Sequence, residues 1–466
     1  MLQYFRLNDP YRFVTIILLL LCIRLPYYLL NDLLYWVDLR YLLLGEKIAG
    51  GQVLYTDIQT SVPILAGLTF GLIDVIFGKS IVVYHVLSFL LVAIQAYLVN
   101  GLINYNKATT DPTYYPALLY ILFFSLSPHL YSLSPEGIGL TFIILALNFQ
   151  FQHLEFRVKR DEKILGIGFY IGISSMFFHA GVYYMVVSLL VMILFTKTLY
   201  RRYLLLLFGF CLPYLLFACY YIYKGSLDMY VASIFMIPYH FEFIVPNVII
   251  LVAPAVMLAL SFLLLLQTTR LTNFQNTLNQ AMLLWLLFSF LVYFMTSEKE
   301  VSVLSLFAIP VVFFLTHYLV IKKRGWLKSL VFYLFFISVI GLNLTIWIKP
   351  ELFSELYKTP RRAEPGKWEN MTLNKSILVL GPDLQEYRNA SHGSFFFDWK
   401  LSESLFRGPL TYSSIVEVYE GIRTDPPEVI IDEENLFEKF RDRIPEFQNL
   451  YKRSGKEPLW VKVSNN

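Results

Sequence analysis

A chain of 466 residues that is 57% hydrophobic and 15% charged, with a mean hydropathy of +0.56, carries too much apolar surface to hide inside a water-soluble globule. Its net charge of +4 comes from Lys and Arg at the ends of apolar blocks, which gives nucleic acid no footing. The three cysteines, Cys22, Cys211 and Cys219, all fall inside apolar blocks, which argues against a disulfide framework or a thiolate metal centre.

The apolar residues come in blocks of about 16 to 24, the length a helix needs to cross a hydrocarbon core of about 30 Å. They predict about eleven spanning helices, at 12–30, 81–102, 114–131, 136–153, 164–178, 180–196, 203–223, 246–266, 280–296, 303–320 and 329–348. The first block has no small-residue cleavage site, so it reads as a retained helix and not as a signal peptide.

Between the first two blocks lies a long loop, residues 31–80. From Trp36 to Ala49 the residues Val37, Tyr41, Leu44 and Ile48 keep helical spacing, with Arg40, Glu46 and Lys47 on other faces. This predicts an amphipathic helix on the outer membrane surface. Asp38 falls in its first turn, where the helix dipole favours a carboxylate for structural reasons alone. The stretch 63–78 is apolar but holds Asp74 and is bracketed by Pro63 and Gly78. At about 1.5 Å per residue it reaches only about 24 Å, so it is expected to be an interfacial or re-entrant helix, with a short tilted span as the alternative.

With this numbering, the loops on one side carry Arg6, Arg12, Lys107 and the basic clusters at 157–163, 197–202, 270 and 322–328. The opposite loops carry only Arg40, Lys47, Lys79, Lys224 and Lys299. The positive-inside rule then puts the N-terminus in the cytoplasm and the C-terminal region outside. That region, 351–466, begins with a polar linker and continues with β-rich runs at 376–381, 428–432 and 459–463. Leu436, Phe440, Ile444, Phe447 and Tyr451 keep helical spacing over 435–453, interrupted by Pro445. The expected organisation is an all-α membrane domain over 1–350, including the external loop 31–80, followed by a small extracytoplasmic α/β domain over 351–466.

The order of features around the first loop is informative as a set. Arg24-Leu25-Pro26 closes the first helix, followed by Asp38, Gly45-Glu46, Gly50-Gly51, Tyr55-Thr56-Asp57 and Pro63, then Phe77-Gly78-Lys79-Ser80. In this order the chain resembles the GT-C glycosyltransferases, integral-membrane enzymes that include protein mannosyltransferases and bacterial aminoarabinose transferases. The resemblance covers residues 12 to 105 well and the later helices loosely. Two positions depart from it: the paired acid is Asp38-Leu39 here, and the Lys before the Pro pair is absent at Ser61-Val62-Pro63.

The resemblance implies transfer of a sugar from a polyprenyl-phosphate donor to an acceptor at the outer face of a cytoplasmic membrane. Asp38 would be the base that takes the acceptor's proton. Asp57 is the reserve, although Tyr-x-Asp also suits a turn cap. Arg24, His179, Lys224, His240 and Lys299 are the outer-side groups that could hold the departing phosphate, and Glu136 is a candidate second acid. Each has a plainer role. Arg24 could snorkel, His179 could be a solvated turn residue, His240 could belong to an aromatic belt and Glu136 could serve its own helix start. No cofactor is firmly implied, and the scattered His give no metal-ligand spacing, although some relatives place a divalent cation on the acid. The partners expected are the bilayer and the lipid-linked donor. A second function class stays open: a catalytically silent membrane scaffold or assembly factor with membrane-protein partners, which the missing second acid favours.

Overall fold

The computed structural model describes residues 2–30, 36–155, 160–196, 198–235, 245–267, 271–296, 301–321, 326–348, 366–454 and 457–463. The chain divides into two compact units, one made of Met1–Asp32, Val82–Tyr221 and Ile237–Thr359, the other of Leu33–Ile81, Ile222–Met236 and Pro360–Asn466.

Among the described residues, six helical stretches are long and apolar enough to cross a membrane: Tyr11–Tyr28, Ile81–Tyr105, Pro135–Leu154, Tyr200–Lys224, Asn273–Met295 and Val301–Ile321. The chain is a polytopic α-helical membrane protein. The expected count of about eleven spans is corrected to these six among the described residues. Hydropathy counts apolar residues whether or not the backbone stays helical through them. The expected span 114–131 is a helix of 9 residues, Tyr115–Phe123. There the Ser125 hydroxyl bonds back to the Ile121 carbonyl, and the chain passes through Ser127 into a 3-10 turn at Pro128–Tyr131. The expected spans 164–178 and 180–196 are helices of 15 and 13 residues, Asp161–Ser175 and Tyr183–Phe195. At about 1.5 Å per residue these reach only about 20 Å.

Within the first unit the close approaches are made by glycine. A Cβ at Gly168 would overlap the Leu206 carbonyl, and one at Gly209 would overlap the Leu165 carbonyl, so the Asp161–Ser175 and Tyr200–Lys224 helices meet backbone to backbone. Buried polar groups tie other helices together. The Trp285 indole donates to Gln150 at 3.0 Å, and Tyr184 stacks on Trp285 with ring centres 5.0 Å apart.

The second unit holds a five-stranded sheet in the order β2-β1-β3-β5-β4, made of β1 (Ser376–Val379), β2 (Ser391–His392), β3 (Val429–Ile431), β4 (Tyr451–Arg453) and β5 (Leu459–Lys462). The β1–β2 and β1–β3 pairs are parallel, and β5 runs antiparallel to β3 and β4. Helices Trp399–Arg407 and Tyr412–Thr424 cover it, the second started by a capping box between Thr411 and Ser414. The core is aromatic, with Phe406, Phe437, Phe440, Phe447 and Trp460 packed on Leu378 and Ile430. The helical spacing expected over 435–453 resolves into two short helices, Glu438–Arg441 and Pro445–Leu450, after which Tyr451 opens β4.

The same unit contains the loop helices Trp36–Ala49 and Ile64–Phe77. They cross where Gly45 abuts the Phe70 carbonyl and Gly71 abuts Ile48, and Tyr41 stacks on Phe70 at 4.5 Å. The Trp36–Ala49 helix differs from the amphipathic surface helix expected, because Asp38, Leu39, Leu42, Leu43 and Lys47 are buried along with Tyr41 and Leu44. It is a central helix of its unit. Ile64–Phe77 is a helix of 14 residues that keeps one apolar face exposed, at Leu68, Leu72, Val75 and Ile76.

Candidate active site

In the second unit, Asp38 sits in the first turn of the Trp36–Ala49 helix and is 1% exposed. Burial of a carboxylate costs far more than a helix dipole returns, so a position in the first turn does not by itself account for it. Two residues on, the Arg40 guanidinium meets Asp398 at 2.9 Å. The Asp398 carboxylate also accepts from the Ser61 hydroxyl at 2.5 Å. Burial alone would raise the Asp398 carboxyl, but Arg40 and the two Ser61 donors outweigh it and hold it below its ordinary value.

Lys47 lies further along the same helix, buried, with its ammonium 2.8 Å from Asp425 and 2.7 Å from the Ser394 carbonyl. Burial pulls its pKa down and Asp425 opposes that. Asp57 is placed as a turn residue. Its carboxylate accepts from the Val53 amide at 2.8 Å and its own amide donates to the Val53 carbonyl at 2.9 Å, beside Tyr55, whose φ of 66° is left-handed.

In the first unit, Arg24 is fully buried and does not snorkel. Its guanidinium donates to Tyr28 Oη at 3.4 Å, Ser88 Oγ at 3.3 Å and the carbonyls of Phe124 and Leu130 at 3.4 Å each, and it lies 4.6 Å from the centre of the Tyr131 ring. Around it, His85 stacks on Tyr28 at 4.8 Å, and the Tyr131 hydroxyl donates to Asn343. Among the described residues no carboxylate pairs with Arg24. Glu136 is half-buried at the start of the Pro135–Leu154 helix, which Ser134 caps and whose Gly137 carbonyl accepts from Gln95 at 2.6 Å. His179 is half-buried and opens the tight turn His179–Val182. The segment leading into that turn packs on the Pro135–Leu154 helix: Phe177 and Phe178 fill the space at Gly139, and Ser174 Oγ donates to the Gly139 carbonyl at 2.9 Å. His240 and Lys299 lie outside the described residues.

Tyr28, one helical turn on from Arg24, was missed, although its spacing was a signal that could have found it. His85, Ser88 and Tyr131 were not legible, because nothing local ties them to residue 24. Asp398 and Asp425 were missed for the same reason. Among the described residues no group of three or more His, Cys, Asp or Glu is placed to hold a metal ion.

No curated protein matches the chain. Among solved structures, ArnT from Cupriavidus metallidurans bound to undecaprenyl phosphate aligns at 14% identity and a TM-score of 0.49, covering 70% of this chain and 63% of that one. The Archaeoglobus fulgidus oligosaccharyltransferase in its apo form aligns at 12% identity and a TM-score of 0.49, covering 81% and 63%. The chain thus spans 63% of the length of each. A family described as "Family of unknown function (DUF6427)" matches residues 56–349, and because that stretch is more than half of the 466 residues, the chain belongs to this family.

Proposed function

We propose that the protein is a GT-C-type glycosyltransferase that moves a sugar from a polyprenyl-phosphate donor to an acceptor at the outer face of the cytoplasmic membrane. The observation that carries this reading is the burial of Asp38, in the first turn of the Trp36–Ala49 helix, at the position where the sequence resemblance puts the base. A carboxylate shielded from water inside a folded unit is a candidate for proton transfer. In the reaction an acceptor hydroxyl gives its proton to Asp38 while its oxygen bonds to the anomeric carbon. The bond from that carbon to the phosphate oxygen breaks, and polyprenyl phosphate leaves.

Arg24 is the proposed partner of the phosphate. Its present acceptors are neutral hydroxyls and carbonyls at 3.3–3.4 Å, and a phosphate would offer it an anionic one. His179, His240 and Lys299 are the further proposed donors to phosphate, Glu136 the second acid and Asp57 the reserve base. The rival reading, a silent scaffold, draws on one residue: buried Leu39 occupies the place of the second acid.

The test is transfer of labelled mannose or aminoarabinose from its undecaprenyl-phosphate carrier to material in native membrane extract. Purified wild type is compared with Asp38→Asn. Turnover should fall by about 10²-fold or more in the variant. Equal turnover would remove Asp38 as the base, and a folded wild type that transfers neither sugar would favour the scaffold.

A further inference from the structure

We infer that Asp398 and Asp425 are positioning residues for Asp38, acting through Arg40 and Lys47 on the helix that carries it; the inference rests on the transferase reading above. At about 100° per residue, Arg40 and Lys47 lie within about 20° of each other around the Trp36–Ala49 axis and about 10 Å apart along it. Asp38 lies about 160° round from Arg40. The two cations therefore mark one face of the helix, and Asp38 belongs to the other.

Each cation is gripped by the C-terminal domain within the same compact unit. Arg40 Nη2 meets Asp398 at 2.9 Å and Ser61 Oγ at 3.3 Å. Lys47 Nζ meets Asp425 at 2.8 Å, the Ser394 carbonyl at 2.7 Å and the His392 carbonyl at 3.2 Å, and Gln52 donates to the same Asp425 oxygen at 3.0 Å. The crossing with Ile64–Phe77 holds one side of the helix, and a single grip elsewhere would add no second point along its axis. Two grips on one face, two turns apart, fix its rotation and its tilt, and so fix the direction in which the opposite face holds Asp38.

The backbone closes the same clamp. The Gln59 amide donates to the Phe395 carbonyl at 2.8 Å, and the Asp398 amide donates to the Gln59 carbonyl at 3.1 Å. Buried ion pairs of this kind return little net stability after desolvation, and their best-attested use is to specify one arrangement over its alternatives. Here the arrangement specified is the seating of the Asp38 helix.

The experiment uses the full-length protein as wild type, Asp398→Asn, Asp425→Asn and the swapped pair Arg40→Asp with Asp398→Arg. Hydrogen exchange of residues 36–49 is measured beside steady-state transfer from the undecaprenyl-phosphate donors. In each single variant, exchange at 36–49 should rise while the Pro135–Leu154 helix keeps its protection. The kcat should fall about 10- to 100-fold with KM for donor changed by less than about twofold, since a displaced base loses turnover and not binding. The swapped pair should recover part of both. Unchanged exchange at 36–49 overturns the inference, as does raised exchange with full kcat. If the wild type transfers no sugar, the transferase reading fails, and exchange alone then decides whether the two aspartates seat the helix.

Discussion

Arg40 and Asp398 are 358 residues apart in the chain and 2.9 Å apart in space. Both side chains are largely shielded from water, so breaking the pair from one side strands a charge. Arg40→Met or Asp398→Leu alone should lower stability by about 2 to 4 kcal/mol, and the double variant should cost less than the sum of the two. Thermal melting of the four proteins measures the coupling. Additive losses would mean that the pair does not act as a unit.

The membrane character, strands β1, β3 and β5 and the helical propensity of 36–49 were legible because each is a local pattern. Apolar run length reported the long spans. It overcounted at 114–131 and 164–196, where Ser125, Pro128 and the His179 turn end helices inside apolar sequence. The burial of Leu39, Leu42 and Leu43 was hidden for another reason. Periodicity assigns one apolar face to a helix, whereas this one is covered by a second helix on one side and by the C-terminal domain on another. Asp38 and Arg24 could be named as candidates from order alone. Their surroundings come from residues tens to hundreds of positions away, such as Ser88 and Leu130 around Arg24, which no local pattern encodes.

Arg24 separates a structural from a ligand-binding role. Polyprenyl phosphate at a hundredfold excess over its dissociation constant stabilises a folded protein by about 2.7 kcal/mol. Adding it should therefore raise the melting temperature of the wild type by several degrees and leave Arg24→Gln nearly unmoved. Equal shifts in both would place the phosphate elsewhere. A variant that melts lower but shifts normally would make Arg24 a tie between the Tyr11–Leu30 helix and the segment 124–131 only.

The proposed orientation has its own test. In a background with Cys22, Cys211 and Cys219 replaced by Ala, single cysteines go to Tyr412 and Glu162, both exposed. A membrane-impermeant thiol reagent added to intact cells should label Tyr412→Cys and spare Glu162→Cys until the membrane is opened. The reverse pattern would move Asp38 to the cytoplasmic side and remove the external reaction.

His392 predicts how the second unit responds to acid. Its ring is buried between Tyr387 and Phe397, with ring centres 5.1 and 5.0 Å away. Burial first, and then the Lys47 charge, hold it well below its ordinary value of 6.5. The unfolded chain therefore binds a proton below about pH 6.5 that the folded domain refuses, and stability falls as pH drops from there towards the folded value. Above that range the ring is neutral in both states and contributes no slope. The slope per buried His approaches about 1.4 kcal/mol per pH unit. Protection of β1 and β2 against hydrogen exchange, corrected for intrinsic rates, should fall between pH 6.5 and 5 in the wild type. In His392→Phe, which keeps the stacking and cannot take a proton, the fall should be smaller by about that slope. The same decline in both proteins would overturn the assignment to His392, and Asp398 would not account for it either, since its depressed value keeps its own contribution intact until the solution is far more acidic.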